Sequence, residues 1–385
     1  MTQQSDRASP QLIVDPESLS AFVERVGHKP RCALDTEAAS FHRYVDRVYL
    51  IQVSTDEETA IIDPLAIRDL APLGTLLEEP AIEVILHDAD YDLRTLNRDY
   101  GFRAHNLFDT RVAAQLAGEP SVGLGSLLEK YFAVKVNKRF QRADWSRRPL
   151  TAEMITYAAN DTRFLLGLRD ELEQRLEQCG RIEWAREEFR QLEKLRWTQP
   201  ARDGDGYLRI KGAKSLPPRT LAVLRQLYSW RDSKAAALDR APFRVLGNAH
   251  LLSVAQAAPR NMKRLTAVAA LPESAVRRFG KELLDAVSNG LGVPKDQLPT
   301  IKRPARAEHN PAYDRSLERL KLLRNRRAKE LDMQPGLLCP NGTLQAVARA
   351  APSNRKGLGR VREIRAWQAR ALGETDILAA VRGKT

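Results

Sequence analysis

Cysteine is scarce in this chain of 385 residues: Cys32, Cys179 and Cys339 are the whole complement. Thiols so few and so far apart form neither a disulfide framework nor the paired spacing of a zinc site. A reducing, cytoplasmic setting is the expectation. Long apolar runs are missing as well. No stretch approaches the roughly 20 residues that span a bilayer, and the polar N-terminus lacks the apolar core of a signal peptide. No membrane partner is expected. No G-x-x-x-x-G-K-[ST] phosphate loop occurs, which excludes a nucleotide-driven helicase. What remains, 43% hydrophobic and 29% charged residues, reads as globular and long enough for two or three domains.

Charge is divided unevenly. Residues 1–199 carry 26 Lys and Arg against 33 Asp and Glu, a net of −7, whereas residues 200–385 carry 36 against 16, a net of +20. An acidic half able to hold metal is joined to a basic half able to hold a polyanion. The acidic half should repel a polyanion, so the basic half is expected to supply much of the grip.

Patterning agrees with that division. Strand-like runs fall at 31–34, 48–54 and 59–62, with Thr55-Asp56-Glu57-Glu58 as a hairpin turn, then at 82–86 and 106–108. Helical patterns fall near 16–26 and at 67–77, 91–100, 111 onward, 124–132, 151 to about 178, and 181–196, with Asp109-Thr110 capping the helix that follows it. Strands first and strand–helix alternation afterwards predict a mixed sheet with helices on both faces. Residues 200–218, rich in Gly and Pro, read as a linker, and everything beyond reads as helical. That helical half repeats itself at an offset of 93. Arg231, Ala235, Leu238, Asp239, Pro242, Asn248, Leu251, Val254, Ala255, Ala257, Ala258 and Pro259 recur as Arg324, Ala328, Leu331, Asp332, Pro335, Asn341, Leu344, Val347, Ala348, Ala350, Ala351 and Pro352. Gly290 maps onto Gly383 in the same register.

Three acidic stretches carry the chemistry. Asp35 and Glu37 in Asp35-Thr36-Glu37 project to one face of a strand, because side chains alternate sides. Two carboxylates so close repel unless a cation lies between them, and oxygen ligands suit Mg²⁺ or Mn²⁺. His87-Asp88-Ala89-Asp90-Tyr91-Asp92 follows a buried strand. Asp88 and Asp90 suit capping and a helix first turn, which leaves Asp92 as the candidate. Tyr157 and Asp161 lie one turn apart on a helical face. The neighbouring Ile155, Phe164, Leu165 and Leu168 point to burial, where a lone carboxylate is costly without a cation or donors.

With these motifs in order, the chain resembles the ribonuclease D family and the related nuclear-exosome exonucleases, of the DEDD superfamily and tyrosine subtype. Leu50-Ile51-Gln52, Ile62-Asp63-Pro64, Phe108-Asp109-Thr110 and Asp144-Trp145-Ser146-Arg147-Arg148-Pro149-Leu150 complete the match across about residues 10–200. The two repeats resemble the HRDC domain, the first through Leu221, Leu224, Trp230-Arg231 and Lys234. The resemblance implies an α/β ribonuclease H-like domain, a five-stranded mixed sheet flanked by helices, over 1–199. A linker at 200–214 and two all-α HRDC-type domains at 215–292 and 308–385 would follow. It implies Asp35, Glu37, Asp92 and Asp161 as ligands of two divalent ions, Mg²⁺ or Mn²⁺. Asp35 would bridge both ions, Glu37 and Asp161 would complete one, and Asp92 would hold the second mostly through water, with Tyr157 orienting the attacking water. It further implies RNA as partner, including tRNA precursors and other small structured RNAs with a 3′ tail, shortened from the 3′-hydroxyl to 5′-mononucleotides. Arg147 and Arg148 are expected near the mouth as phosphate contacts. A DNA exonuclease of the same superfamily and a non-catalytic nucleic-acid-binding module are the alternative readings.

Overall fold

The computed structural model describes residues 9–137, 139–199, 204–269, 271–301 and 310–383. Residues 200–203 of the expected linker, and the outer ends of the expected second helical domain at 308 and 385, lie outside these ranges.

Six strands form one sheet: β1 (Gln11–Ile13), β2 (Arg31–Ala38), β3 (Val48–Ser54), β4 (Thr59–Ile62), β5 (Glu83–Leu86) and β6 (Leu107–Asp109), in the order β1-β4-β3-β2-β5-β6. The five expected strands are β2 to β6. The sixth, β1, pairs parallel with β4 through Leu12 opposite Ile61. Three residues with only Ile13 buried leave almost no alternation to read. Pairing is antiparallel across β4-β3-β2 and parallel across β2-β5-β6. Every residue of β3 is buried, as a strand covered on both faces requires.

Eight helices flank the sheet: α1 (Pro16–Gly27), α2 (Ala71–Glu78), α3 (Asp90–Tyr100), α4 (Thr110–Leu116), α5 (Leu124–Phe132), α6 (Ala152–Arg163), α7 (Leu165–Gln178) and α8 (Ile182–Leu192). The long helix expected from 151 to about 178 is broken at Phe164, which lies between α6 and α7 with φ −98° and ψ −6°. The break separates a helix that faces the site from one that builds the core.

Beyond residue 204 the chain is helical, and the repeat is real in space. The first copy runs α9 (Pro218–Ala237), α10 (Pro242–Val245), α11 (Asn248–Ala257), α12 (Met262–Thr266) and α13 (Glu273–Gly292). The second runs α14 (Pro311–Glu330), α15 (Pro335–Leu338), α16 (Asn341–Ala350) and α17 (Arg355–Leu358), then α18 (Ala366–Leu372) and α19 (Glu374–Arg382). Each copy buries an equivalent arginine. Arg231 Nη1 donates to Leu246 O at 3.0 Å and Asn248 Oδ1 at 2.7 Å, and Arg324 Nη1 donates to Cys339 O at 3.1 Å and Asn341 Oδ1 at 2.7 Å. One difference matters: α13 is continuous, whereas its counterpart breaks at Gly373, whose φ of 85° strains any L side chain. Residues 204–215 are less linker-like than expected, since Tyr207, Ile210 and Ala213 are buried in the first copy's core.

The two copies attach differently to the sheet domain. The second shares one continuous apolar core with it. Trp184 stacks on Trp367 with centroids 4.8 Å apart, and Glu187 accepts from the Ala366 and Trp367 amides at 2.6 and 2.9 Å. The first copy closes around a separate core and meets the sheet domain at residues 41–44. There the Ala241 amide donates to His42 O at 3.2 Å, Arg43 pairs with Asp239 at 3.1 Å, and Tyr44 Oη donates to Asp232 at 3.0 Å. Among the described residues, no helix is long and apolar enough to cross a membrane.

Candidate active site

The site lies where β2 meets α6. Strand alternation puts Asp35 and Glu37 on one face, and α6 packs across β2, β3 and β4. Thr151 caps α6, accepting from the Met154 amide at 3.2 Å, and this sets the helix that delivers Asp161. Asp35, Glu37 and Asp161 each present an oxygen within 4.8 Å of the others. Among the described residues, none of them is paired with an arginine, lysine or histidine.

Asp92 stands apart from that trio. Its carboxylate is buried and accepts from the hydroxyl of Thr36, whose side chain projects away from Asp35 and Glu37. The helix that carries it is fixed by Asp109. That carboxylate accepts from the amides of Asp88 and Ala89 before α3 at 3.3 and 2.8 Å, and from those of Arg111 and Val112 in α4 at 2.8 and 3.0 Å. Asp109 is therefore the expected N-cap and also ties two helices together. Asp88 and Asp90 are paired outward with Arg111 and Arg94 and take no part in the cluster.

Burial and mutual repulsion govern the electrostatics. Burial first, then the charges of Asp92, Asp161 and Glu37, hold the Asp35 carboxyl well above the usual range. Glu37 is raised by burial and by Asp161 and Asp92. Burial pushes Asp161 and Asp92 each up to about 7. His87, whose Nδ1 lies 2.9 Å from Thr110 Oγ1, is lowered by burial to about 4, so it is neutral and offers no balancing charge. The Tyr157 phenol is raised by burial and by Asp161, Glu37 and Asp35, and so stays protonated. Its ring is wedged between Phe140 and Trp145, at 5.7 and 6.0 Å.

The two arginines expected at phosphates part company. Arg148 spends all five N–H donors inside the fold: two on Asp63, the closer at 2.5 Å, and the others on Tyr49 O, Trp145 O and Arg147 O, each at 2.8 Å. Asp63 is only 5% exposed, so Arg148 neutralises a buried carboxylate and has no donor left for a phosphate. The Arg147 side chain is 78% exposed and, among the described residues, its guanidinium bonds Asp144 alone, at 3.2 Å. One residue that sequence reasoning left outside the site is Gln52, directly opposite Asp35 in the ladder. It is fully buried, and its amide has no partner among the described residues. A Gln in an otherwise apolar buried strand was the available signal.

A converging carboxylate trio, a buried fourth acid and a protonated phenol on this sheet define a class, the 3′-5′ exonucleases. The 3′-5′ exonuclease family profile matches residues 10–177, and the HRDC domain profile matches 220–287 and 314–381. The chain is 35% identical to Ribonuclease D of Escherichia coli strain K12 over 75% of its own length and 77% of that protein's. The crystal structure of Escherichia coli RNase D, described as an exoribonuclease involved in structured RNA processing, superposes with a TM-score of 0.70 at 30% identity. It covers 98% of this chain and 99% of that one. The catalytic core of RRP6 from Trypanosoma brucei superposes with a TM-score of 0.67 at 32% identity, over 76% of this chain and 83% of that one. The chain belongs to the ribonuclease D family.

Proposed function

We propose that the protein hydrolyses RNA stepwise from a free 3′-hydroxyl, releasing 5′-mononucleotides, and that tRNA precursors and other small structured RNAs with 3′ tails are its substrates. The observation that carries this is the trio Asp35, Glu37 and Asp161, converging within 4.8 Å with only burial and like charge around it. Such a donor set has no basic side chain to balance it among the described residues and suits hard divalent ions with oxygen ligands. In this reading Asp35, Glu37, Asp92 and Asp161 would be the carboxylates that hold two divalent ions, Mg²⁺ or Mn²⁺. Bound there, the ions supply charge neutralisation at the phosphodiester and acidify water.

Tyr157, held between Phe140 and Trp145 one turn from Asp161, would orient the attacking water. Arg147, largely exposed and bonded only at Nε to Asp144, is the better candidate for a phosphate contact. The helical copies, which hold most of the basic excess, grip the RNA body. A cytoplasmic setting suits three cysteines that remain free thiols.

The test uses 5′-labelled single-stranded RNA and DNA of one sequence with Mg²⁺, Mn²⁺ or EDTA, each with a 3′-hydroxyl or a 3′-phosphate. A descending ladder from 3′-hydroxyl RNA, abolished by EDTA and by the 3′-phosphate, is the expected result. Activity in chelator, or cuts within circular RNA, would overturn the reading.

A further inference from the structure

The seam between the sheet domain and the first helical copy carries two exposed aromatic rings. Phe41 and Phe243 are 43% and 52% exposed, yet they meet edge to face with centroids 6.2 Å apart. Each belongs to a different domain, and hydrogen bonds of the adjoining backbone hold them together: Arg244 donates to Phe41 O, and the Ala241 amide donates to His42 O. Large exposed aromatics on a rigid support call for an explanation, because apolar surface of this kind marks an interaction site more often than chance.

Position and charge both indicate a ligand. Phe41 lies four residues past Glu37, so its Cα is within about 14 Å of that ligand's Cα by chain reach alone. A second path joins the two places. The Tyr157 ring touches Phe140 at 5.7 Å, and two residues on, the guanidinium of Arg142 lies 5.2 Å above the Phe41 ring. His42 Nε2, 2.9 Å from Arg142 O, pins that strap to the seam. Arg142 and Arg244 flank the rings, and neither forms an ion pair among the described residues. Aromatic faces between uncompensated guanidinium groups bind unstacked bases and their phosphates together.

We infer that Phe41 and Phe243 form a base-stacking platform for the single-stranded RNA that leads into the site, with Arg142 backing the Phe41 ring and Arg244 beside Phe243 adding positive charge for the RNA backbone. Two domains supply one ring each, so the platform exists only while the first helical copy is docked. The inference rests on the proposed RNA substrate, but its test is independent of hydrolysis.

The test measures binding of the full chain in EDTA, where nothing is cleaved, by fluorescence anisotropy. One probe is single-stranded RNA of about 12 nucleotides, and the other is an abasic ribose-phosphate oligomer of equal length. Stacked bases should favour the RNA by roughly 5- to 100-fold. That preference should collapse in F41A/F243A and be largely restored by F41W/F243W. A preference equal in the parent and F41A/F243A would overturn the platform. So would an equal loss of affinity for both probes, which would mean that the substitutions only loosen the seam. Failure of the proposed hydrolysis would show instead as an intact preference without a ladder.

Discussion

Replacing Asp161 by Asn should make the metal-free protein more stable. Three carboxylate oxygens lie within 4.8 Å of one another with no basic partner, so folding forces like charges together. Asp161 is raised from 3.8 to about 7, and at 1.36 kcal/mol per unit that sets a ceiling of about 4 kcal/mol. That raise comes from burial, and because the side chain is only partly buried and water reaches it, a gain of about 1–2 kcal/mol is the better figure. For a domain of this size that is ~3–6 °C in Tm. The sign with pH follows. An acid whose folded value is raised binds more protons folded than unfolded, so its stabilising contribution is present at low pH and lost as pH rises through about 7. The assay is thermal unfolding by circular dichroism in EDTA across that window. D161N should melt higher than the parent above neutrality, with a shallower decline as pH rises. Saturating Mg²⁺ should erase the advantage, because the parent gains more from the ion. A D161N chain that melts lower than the parent in EDTA, or that keeps its advantage in Mg²⁺, would refute the reasoning.

Arg148→Ala should destabilise by about 3–5 kcal/mol, since it strands the buried Asp63 carboxylate. Arg147→Ala should change stability by less than ~0.5 kcal/mol and, as a phosphate contact, show its effect in KM; melts and steady-state kinetics separate the two. Trp367→Ala should cost about 3–5 kcal/mol through the lost stack on Trp184, measured by denaturant unfolding. Ending the chain after Gln199 should expose Trp184 and lower solubility, so the basic half's grip is better tested by the salt dependence of KM on the full chain, which should be steep.

Much of this was readable from residue order because local rules dominate there. The run at 48–54 is apolar apart from Gln52 and Ser54 and becomes an interior strand; Asp109 before a helical pattern becomes a cap; a repeat of twelve identities becomes two helical copies. What escaped depends on contacts distant in sequence. Nothing local distinguishes Arg147 from Arg148, yet one meets solvent and the other a carboxylate 85 residues away. The separation of Asp92 from the other three acids depends on Thr36, whose hydroxyl reads as an ordinary strand residue. The break at Phe164 has no proline or glycine to announce it. The β1 strand is held by its partner and not by its own pattern.

The shared core between the sheet domain and the second helical copy makes order along the chain a poor guide to what folds together. The second helical copy completes the first domain, while the helical copy between them has its own interior and is, in architectural terms, an insertion. Until Trp367 is synthesised, Trp184 has no stacking partner, so the core of the sheet domain is complete only once the second copy is in place. Deleting the inserted copy should therefore be tolerated better than trimming the C-terminus, although the deletion removes residues nearer to the active site.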